Sequence, residues 1–555
     1  MPKRETLSRI IFLIGGTYII FYAALLLIHT VALFSRLGLT NAGTILAAGL
    51  TLGFFVWAGR RVYHLSYSQF LIALLVMLLL AVLSGIIAGY FLDLSWDGRD
   101  YQQKAIRELA SGWNPIYITI QPEDIYRSAW LNHYPKGPWL SAASIYMLAK
   151  DIEYGKTFNQ LLIWAVFFIG SAYFLTYPQL QPWKVFLISF FLAANPVSTS
   201  QFLSYYVDGQ VSSMIILLII ILLLALRRDD SVLRLTLVAA TIVALNVKFT
   251  GTAYSLMVLF VFFPLSWYVK RSFSTLRSVW MAIVVGALLG GLLVGYNPYV
   301  SNMLRNGHPF YPIFGSSQFN HEFVIREQAP PDFREMSRLE KLGLSVFSRS
   351  QITIGTDNVH PKNPLSVQRS EIAAFVWPDV RLGGWGPLFG ALVLLSAISI
   401  LILAIAARQA GLAVIGFTGA MLAITLVNNE PWWARYSPQL WLIPTAVLVG
   451  LWVTNKKGLE AAGFLIAALM LVNMALVAGP YLAINYMENR EVRSTMEKLA
   501  QSGESIDLYY GSFEAVGMRL KEKGIAYRWA EHLEELPCPV KLEPWVYYSP
   551  SGCTP

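Results

Sequence analysis

Two carboxylates three residues apart, in Trp96-Asp97-Gly98-Arg99-Asp100-Tyr101, are the most chemically loaded pair in the chain, because they directly follow a long apolar run. On a helix that spacing puts Asp97 and Asp100 on one face, and in a loop either can point at a substrate hydroxyl. A carboxylate at a partly buried rim has its pKa raised, which suits it to take a proton from an alcohol in a transition state. The structural alternative is that Asp97 caps the next helix and Asp100 pairs with Arg99 or Lys104.

Other polar side chains stand at the ends of apolar runs, where they cost free energy unless paired or solvated, and each is therefore a functional candidate. His133 and Lys136, in His133-Tyr134-Pro135-Lys136-Gly137-Pro138-Trp139, either present donors to an anion or form an aromatic anchor with a snorkelling lysine. Tyr205 and Asp208 close one run. Lys248 closes another, ahead of Phe249-Thr250-Gly251, and has no acidic neighbour in sequence. It suits phosphate as a point charge, or snorkels at an interface. Asn302 and His308 lie in a stretch rich in proline and aromatics. Glu430, Arg435 and Tyr436 belong to Asn428-Asn429-Glu430-Pro431-Trp432-Trp433-Ala434-Arg435-Tyr436. There Arg435 can grip a phosphate bidentately, and the tryptophans either stack on a sugar or form an interfacial belt. No P-loop, His-Glu-x-x-His motif or acidic relay at the opposite ends of the runs is present, which disfavours a nucleotide enzyme and an ion-coupled transporter.

The elements that must position these residues are membrane helices. The chain has 555 residues, 55% hydrophobic and 14% charged, outside the balance of soluble domains. Its net charge of +9 sits in short clusters between apolar runs, which favours topology-setting charge over a nucleic-acid surface. About thirteen runs are long enough to approach the width of a bilayer: 10–33, 41–59, 68–92, 157–176, 184–204, 210–226, 232–247, 252–268, 279–297, 386–407, 411–427, 437–454 and 459–480. With thirteen crossings the basic clusters at Lys3, Arg60, Lys184, Arg227, Lys270, Arg408 and Lys456 all fall on one side, so the amino end is expected in the cytoplasm. Residues 102–112 and 138–150 read as interfacial helices in an outer loop over 93–156. A second outer loop, 298–385, reads as a folded cap with a mobile middle over 323–356. The division expected is a membrane domain over 1–480 and a small extracytoplasmic α/β module over 481–555. In that module 506–510 and 525–529 are strand-like, 513–523 helical, and Cys538 and Cys553 are candidates for a disulfide.

Taken in order, these motifs resemble the GT-C superfamily of polytopic glycosyltransferases over about residues 68–455. The likeness rests on Asp97 to Tyr101 with Gly112-Trp113-Asn114-Pro115, on His133 to Pro138, and on Asn195-Pro196 with Tyr205-Tyr206-Val207-Asp208. It extends through Lys248-Phe249-Thr250-Gly251 to Asn297-Pro298-Tyr299, Asn302 and Gly307 to Pro312. The resemblance implies an inverting transfer of a sugar from a polyprenyl-phosphate carrier to a hydroxyl of a glycan, lipid or protein acceptor at the outer face of a membrane, naturally a bacterial inner membrane. Asp97 is then the base, and Lys248 and Arg435, with His133 or Lys136, hold the leaving phosphate. The family's adjacent acidic pair is here Asp-x-x-Asp, so Asp100 stays a catalytic candidate and a divalent metal a candidate partner, with no other cofactor expected. The rival readings are a transporter or flippase, or a ligase, for lipid-linked glycans.

Overall fold

Runs of Leu, Ile, Val, Ala and Phe without interior charge can satisfy their backbone in hydrocarbon as helices, and helices are what these runs form. The computed structural model describes residues 2–121, 125–313, 328–352, 358–550 and 553. Ten described helices are long and apolar enough to cross a membrane: Lys3–Phe34, Asn41–Val62, Tyr67–Tyr90, Ile152–Phe174, Asp208–Ala225, Phe249–Lys270, Leu276–Tyr296, Phe389–Ala406, Arg408–Val427 and Lys457–Ser502. Three more apolar helices, Pro182–Ala193, Ser231–Val247 and Pro438–Val453, are shorter; the run expected over 184–204 breaks at Asn195-Pro196, where proline starts a separate short helix, Pro196–Gln201.

The loops between them gather at two ends. At one end Arg4 donates to the carbonyls of Pro178 and Leu180, Tyr63 donates to Asp230, and Lys184 pairs with Glu460. These are the loops that carry the basic clusters. At the other end the residues after Tyr90 meet those around Tyr205, Lys248, Asp379 and Arg435. Asn114 and Tyr117 of the loop over 93–156 donate to the Leu33 and Phe34 carbonyls at the end of the first helix.

The loop over 93–156 contains a tight π-helical turn, Gly98–Gln102, followed by the helix Gln103–Ala110. Glycine is required at 98, where a Cβ would lie 1.9 Å from Asp93 Oδ2. Helix Gly137–Ala149 is short and largely buried rather than a crossing. Where a mobile middle is expected in the second outer loop, the helix Arg338–Val346 is capped by Ser337 and Glu340, and Ser345 donates to the Trp432 carbonyl. Residues 323–327 and 353–357 of that stretch lie outside the described ones.

The last helix passes through the domain boundary expected at residue 480. Its 46 residues end at Ser502, with Gly503 in the left-handed conformation as its cap. A small module follows, with strands β1 (Ile506–Tyr509), β2 (Tyr527–Trp529), β3 (Val540–Glu543) and β4 (Val546–Ser549) in the order β2-β1-β4-β3. The β1 and β2 strands are parallel and joined through helix Glu514–Glu522, whereas β3 and β4 form a hairpin. Cys538 and Cys553 are disulfide-bonded.

A buried chain of charges locks this module to the loop over 93–156. Lys156 pairs with Glu153, which accepts from Arg519 at 2.9 Å. Arg519 reaches Glu543 at 2.6 Å, and Glu543 accepts from Arg99 at 3.1 Å. Every one of these side chains is at most 3% exposed. Lys104 to Glu514 and Arg107 to Glu522, at 3.0 and 3.2 Å, extend the contact toward solvent.

Candidate functional site

Five charged residues from five separate segments meet where the loop over 93–156 reaches the bundle. Arg435, on the single turn Ala434–Tyr436, is at the centre. Its Nη1 lies 3.3 Å from Asp97 Oδ2 and 4.0 Å from Asp208 Oδ2, and its Nε lies 3.5 Å from Asp379 Oδ1. Lys248 Nζ is 2.6 Å from Asp208 Oδ1. The guanidinium also stacks near the rings of Trp433, Tyr436 and Tyr206, at 4.4, 5.1 and 5.5 Å from their centroids, and Lys248 is 5.0 Å from that of Tyr436. Arg435 Nε is buried and faces Asp379 as an ion pair without a formed hydrogen bond.

Local sequence explains each placement. Asp97 sits at the entry to the π-helical turn, a device common at functional sites because it re-aims side chains. Asp208 opens the helix Asp208–Ala225, where the helix dipole favours a carboxylate. Lys248 is the extended residue between two helices, with φ −162° and ψ 154°, which turns its side chain off both helix axes.

Burial raises the Asp97 carboxyl above its usual range; Arg435 and Lys248 oppose this, while Asp379 and Asp208 add to it. Burial alone would weaken the Arg435 cation, but Asp379, Tyr436, Asp97 and Asp208 raise its pKa well above the ordinary value, so it stays charged. Burial also raises the phenols of Tyr101, Tyr134 and Tyr206, which therefore remain hydrogen-bond donors. Asp379→Asn removes a negative charge that raises the Asp97 pKa and frees Arg435 to favour the ionised form. Its amide oxygen can still accept from Trp433 Nε1, a bond of 2.7 Å in the native protein. The acid limb of any activity based on Asp97 should therefore move to lower pH in this variant; a pH-rate profile unmoved or shifted upward contradicts that coupling.

The structure brings Asp97, Asp208, Lys248, Arg435 and Tyr436 together and sends the other candidates elsewhere. Asp100 stands on the π-helical turn, and the ion pairs that Arg435 makes to carboxylates run to Asp97, Asp208 and Asp379. His133 is 2.7 Å from Asn302 Oδ1, and Asn302 also donates to the Tyr311 carbonyl at 2.9 Å. That pair ties two outer loops together, and burial lowers the pKa of the imidazole. Lys136 is buried, donating to the Asn132 and Tyr134 carbonyls beside the rings of Trp113 and Trp139, and burial weakens its cation. His308 accepts from the Phe310 amide within its own turn. Tyr205 donates to the Ile152 carbonyl, and Glu430 accepts from Lys341 and Trp432. Trp432 and Trp433 are fully buried, so they are neither a belt nor a stacking surface.

Three members are absent from the expected set. Asp379 lies in a long loop without periodicity, and only its position in Asp379-Val380-Arg381, at the end of that loop, singles it out. Tyr134 and Tyr206 each adjoin a nominated residue, and the turn at each place aims the neighbour inward. Among the described residues no group of three His, Cys, Asp or Glu side chains is arranged to hold a metal ion. The three carboxylates of the cluster converge on a guanidinium, an arrangement that does not fit a divalent cation.

An apolar cavity of about 270 Å³ lies elsewhere in the bundle, lined by Phe174, Leu192, Ile220, Phe417, Leu442 and Val449 among others. No protein-family model matches this chain, and no curated protein matches it.

Proposed function

We propose that the protein is a membrane glycosyltransferase of the GT-C type, which moves a sugar from a polyprenyl-phosphate-linked donor to an acceptor hydroxyl. The observation that carries this reading is the Asp97 carboxylate, made more basic by burial, 3.3 Å from Arg435 and in one cluster with Lys248. A base and two cations thus stand within the reach of one substrate. The order of the sequence motifs is the second support.

In the reaction, Asp97 accepts the proton of the acceptor hydroxyl as that oxygen attacks the anomeric carbon. The bond from that carbon to the phosphate oxygen breaks with its electron pair on the phosphate, and the anomeric configuration inverts. Arg435 and Lys248 stabilise the charge that develops on the leaving phosphate. They are held in place beforehand by Asp208 and Asp379, so little reorganisation is needed during the step.

The site is assigned to the outer face. The disulfide of the C-terminal module lies at the same end as the cluster and belongs in an oxidising compartment. The Lys and Arg clusters occupy the opposite end, as cytoplasmic loops do. We count the three shorter apolar helices as crossings too; thirteen crossings support an amino end inside, a module outside and a bacterial inner membrane as the location.

The purified protein, reconstituted with a panel of polyprenyl-phosphate sugars and soluble oligosaccharide acceptors, should release polyprenyl phosphate and extend an acceptor. Movement of the intact donor between leaflets without cleavage would instead indicate a flippase and reject the transferase.

A further inference from the structure

The hairpin joining β3 to β4 turns through Pro544 and Trp545, and Trp545 has φ 63°, in the left-handed region. A turn with proline first and a positive φ second ordinarily takes glycine or asparagine at that place, because a Cβ crowds the backbone there. A tryptophan held in such a conformation is an outlier of the kind that gathers at ligand sites. The consequence is an indole kept at the surface, 40% exposed.

Two further indoles meet it. The centroid of Trp377 is 5.0 Å from that of Trp545, and the centroid of Trp96, itself 47% exposed, is 5.2 Å away. Buried Phe513 forms a floor, 4.8 Å from Trp96 and 6.2 Å from Trp545. The Arg99 guanidinium, fixed by Glu543, lies 4.4 Å from the Phe513 ring and 5.6 Å from the Trp545 ring. Segments hundreds of residues apart thus build one stiff aromatic surface.

Its position relates it to the carboxylate cluster. Trp96 adjoins Asp97, and Trp377 is two residues before Asp379. Asp208, with its partner Lys248, meets the Nη1 end of Arg435, whereas Asp379 meets the Nε edge. Asp97, beside Trp96, also meets Nη1, so the aromatic surface borders two of the three carboxylates that hold Arg435. A small adjoining cleft is lined by Asp93, Ser95, Trp377, Asn485 and Glu488, a polar wall suited to water and hydroxyl groups rather than to lipid.

Resting on the glycosyl-transfer reading, we infer that Trp96, Trp377 and Trp545 form an acceptor subsite that stacks on the apolar faces of pyranose rings. The acceptor is then an oligosaccharide, not an isolated lipid or protein hydroxyl. Indoles suit this task because they offer a large rigid face while the sugar hydroxyls stay solvated.

The test uses the full-length protein in nanodiscs, titrated calorimetrically with soluble hexasaccharides of glucose, mannose and N-acetylglucosamine. At least one should bind saturably, at least tenfold more weakly to Trp96→Ala and to Trp545→Gly. Trp545→Gly relieves the left-handed conformation, so its melting temperature should not fall far below that of the parent, and an intact melt separates lost binding from lost folding. No saturable binding of any of the three, or affinity unchanged in both variants, overturns the subsite. So does quenching of fluorescence by brominated lipid in the parent that is lost in the two variants, since that would put the indoles in the bilayer. Oligosaccharide binding without sugar transfer would reject the reaction but keep the surface, and transfer with an unchanged acceptor KM in both variants would do the reverse.

Discussion

Asp97→Asn is expected to lower sugar transfer by about 10²- to 10⁴-fold while leaving the protein folded, the loss typical when a positioned general base is removed. Asparagine keeps the shape of the side chain and an oxygen that can accept from Arg435, now 3.3 Å away, so the cluster need not rearrange. What disappears is the proton acceptor. The same logic fixes the pH dependence of the native protein. The base acts only when ionised, and burial raises its pKa, so the rate should fall with decreasing pH at a limb above the usual carboxylate range, near 3.9. Asp100→Asn supplies the contrast: Asp100 lies outside the ion pairs of Arg435, and its loss should leave that limb in place. A purified Asp97→Asn protein that keeps more than about a tenth of the native rate removes the base from the mechanism.

That Asp97, Lys248 and Arg435 could be nominated from sequence follows from the medium. A charge at the end of an apolar run stands out because hydrocarbon penalises it, and three such residues survive that filter for a reason. The same filter explains the helices, whose runs and termini are written in composition, and the strand-helix-strand pattern of 506–529 is written in its periodicity. It gives no access to partners. Glu430 shares a loop with Arg435 yet turns to Lys341, 3.2 Å away, because the buried indoles of Trp432 and Trp433 orient the chain between them. Tyr205 and Tyr206 are identical in type, and only the turn before helix Asp208–Ala225 decides which one faces the site. Asp379 is invisible for a different reason: a loop has no period, so no position within it predicts a direction. The extension of the last helix past residue 480 was hidden because Gly479-Pro480 followed by polar residues reads as a helix stop, yet the helix carries Pro480 inside it and ends only at Gly503.

Least legible of all was the pairing of Arg99 with Glu543, and the second large effect is expected there. Glu543 bridges Arg99 at 3.1 Å and Arg519 at 2.6 Å, with the carboxylate fully buried. Glu543→Gln keeps the volume and one acceptor but removes the carboxylate that bridges two guanidinium groups in a dry contact, leaving Glu153 paired to Arg519 and the charge of nearby Asp93 to answer them. Breaking a buried pair in this way costs about 3–5 kcal/mol, because the stranded charge keeps its desolvation penalty and loses its counterion. The cost falls on the junction between module and loop rather than on the membrane helices, which share no part of the network beyond Glu153 and Lys156. Limited proteolysis should therefore release fragments after Gly503 much faster than in the parent while the bundle persists. Since Arg99 is two residues from Asp97, transfer should fall as well, through kcat more than through the KM for donor, as suits a base that has lost its support. If the module of the Glu543→Gln protein stays as resistant to protease as the native one, the Glu543 bridge is a spectator and the loop is held by the Phe513 and Trp545 rings with the Lys104 and Arg107 pairs.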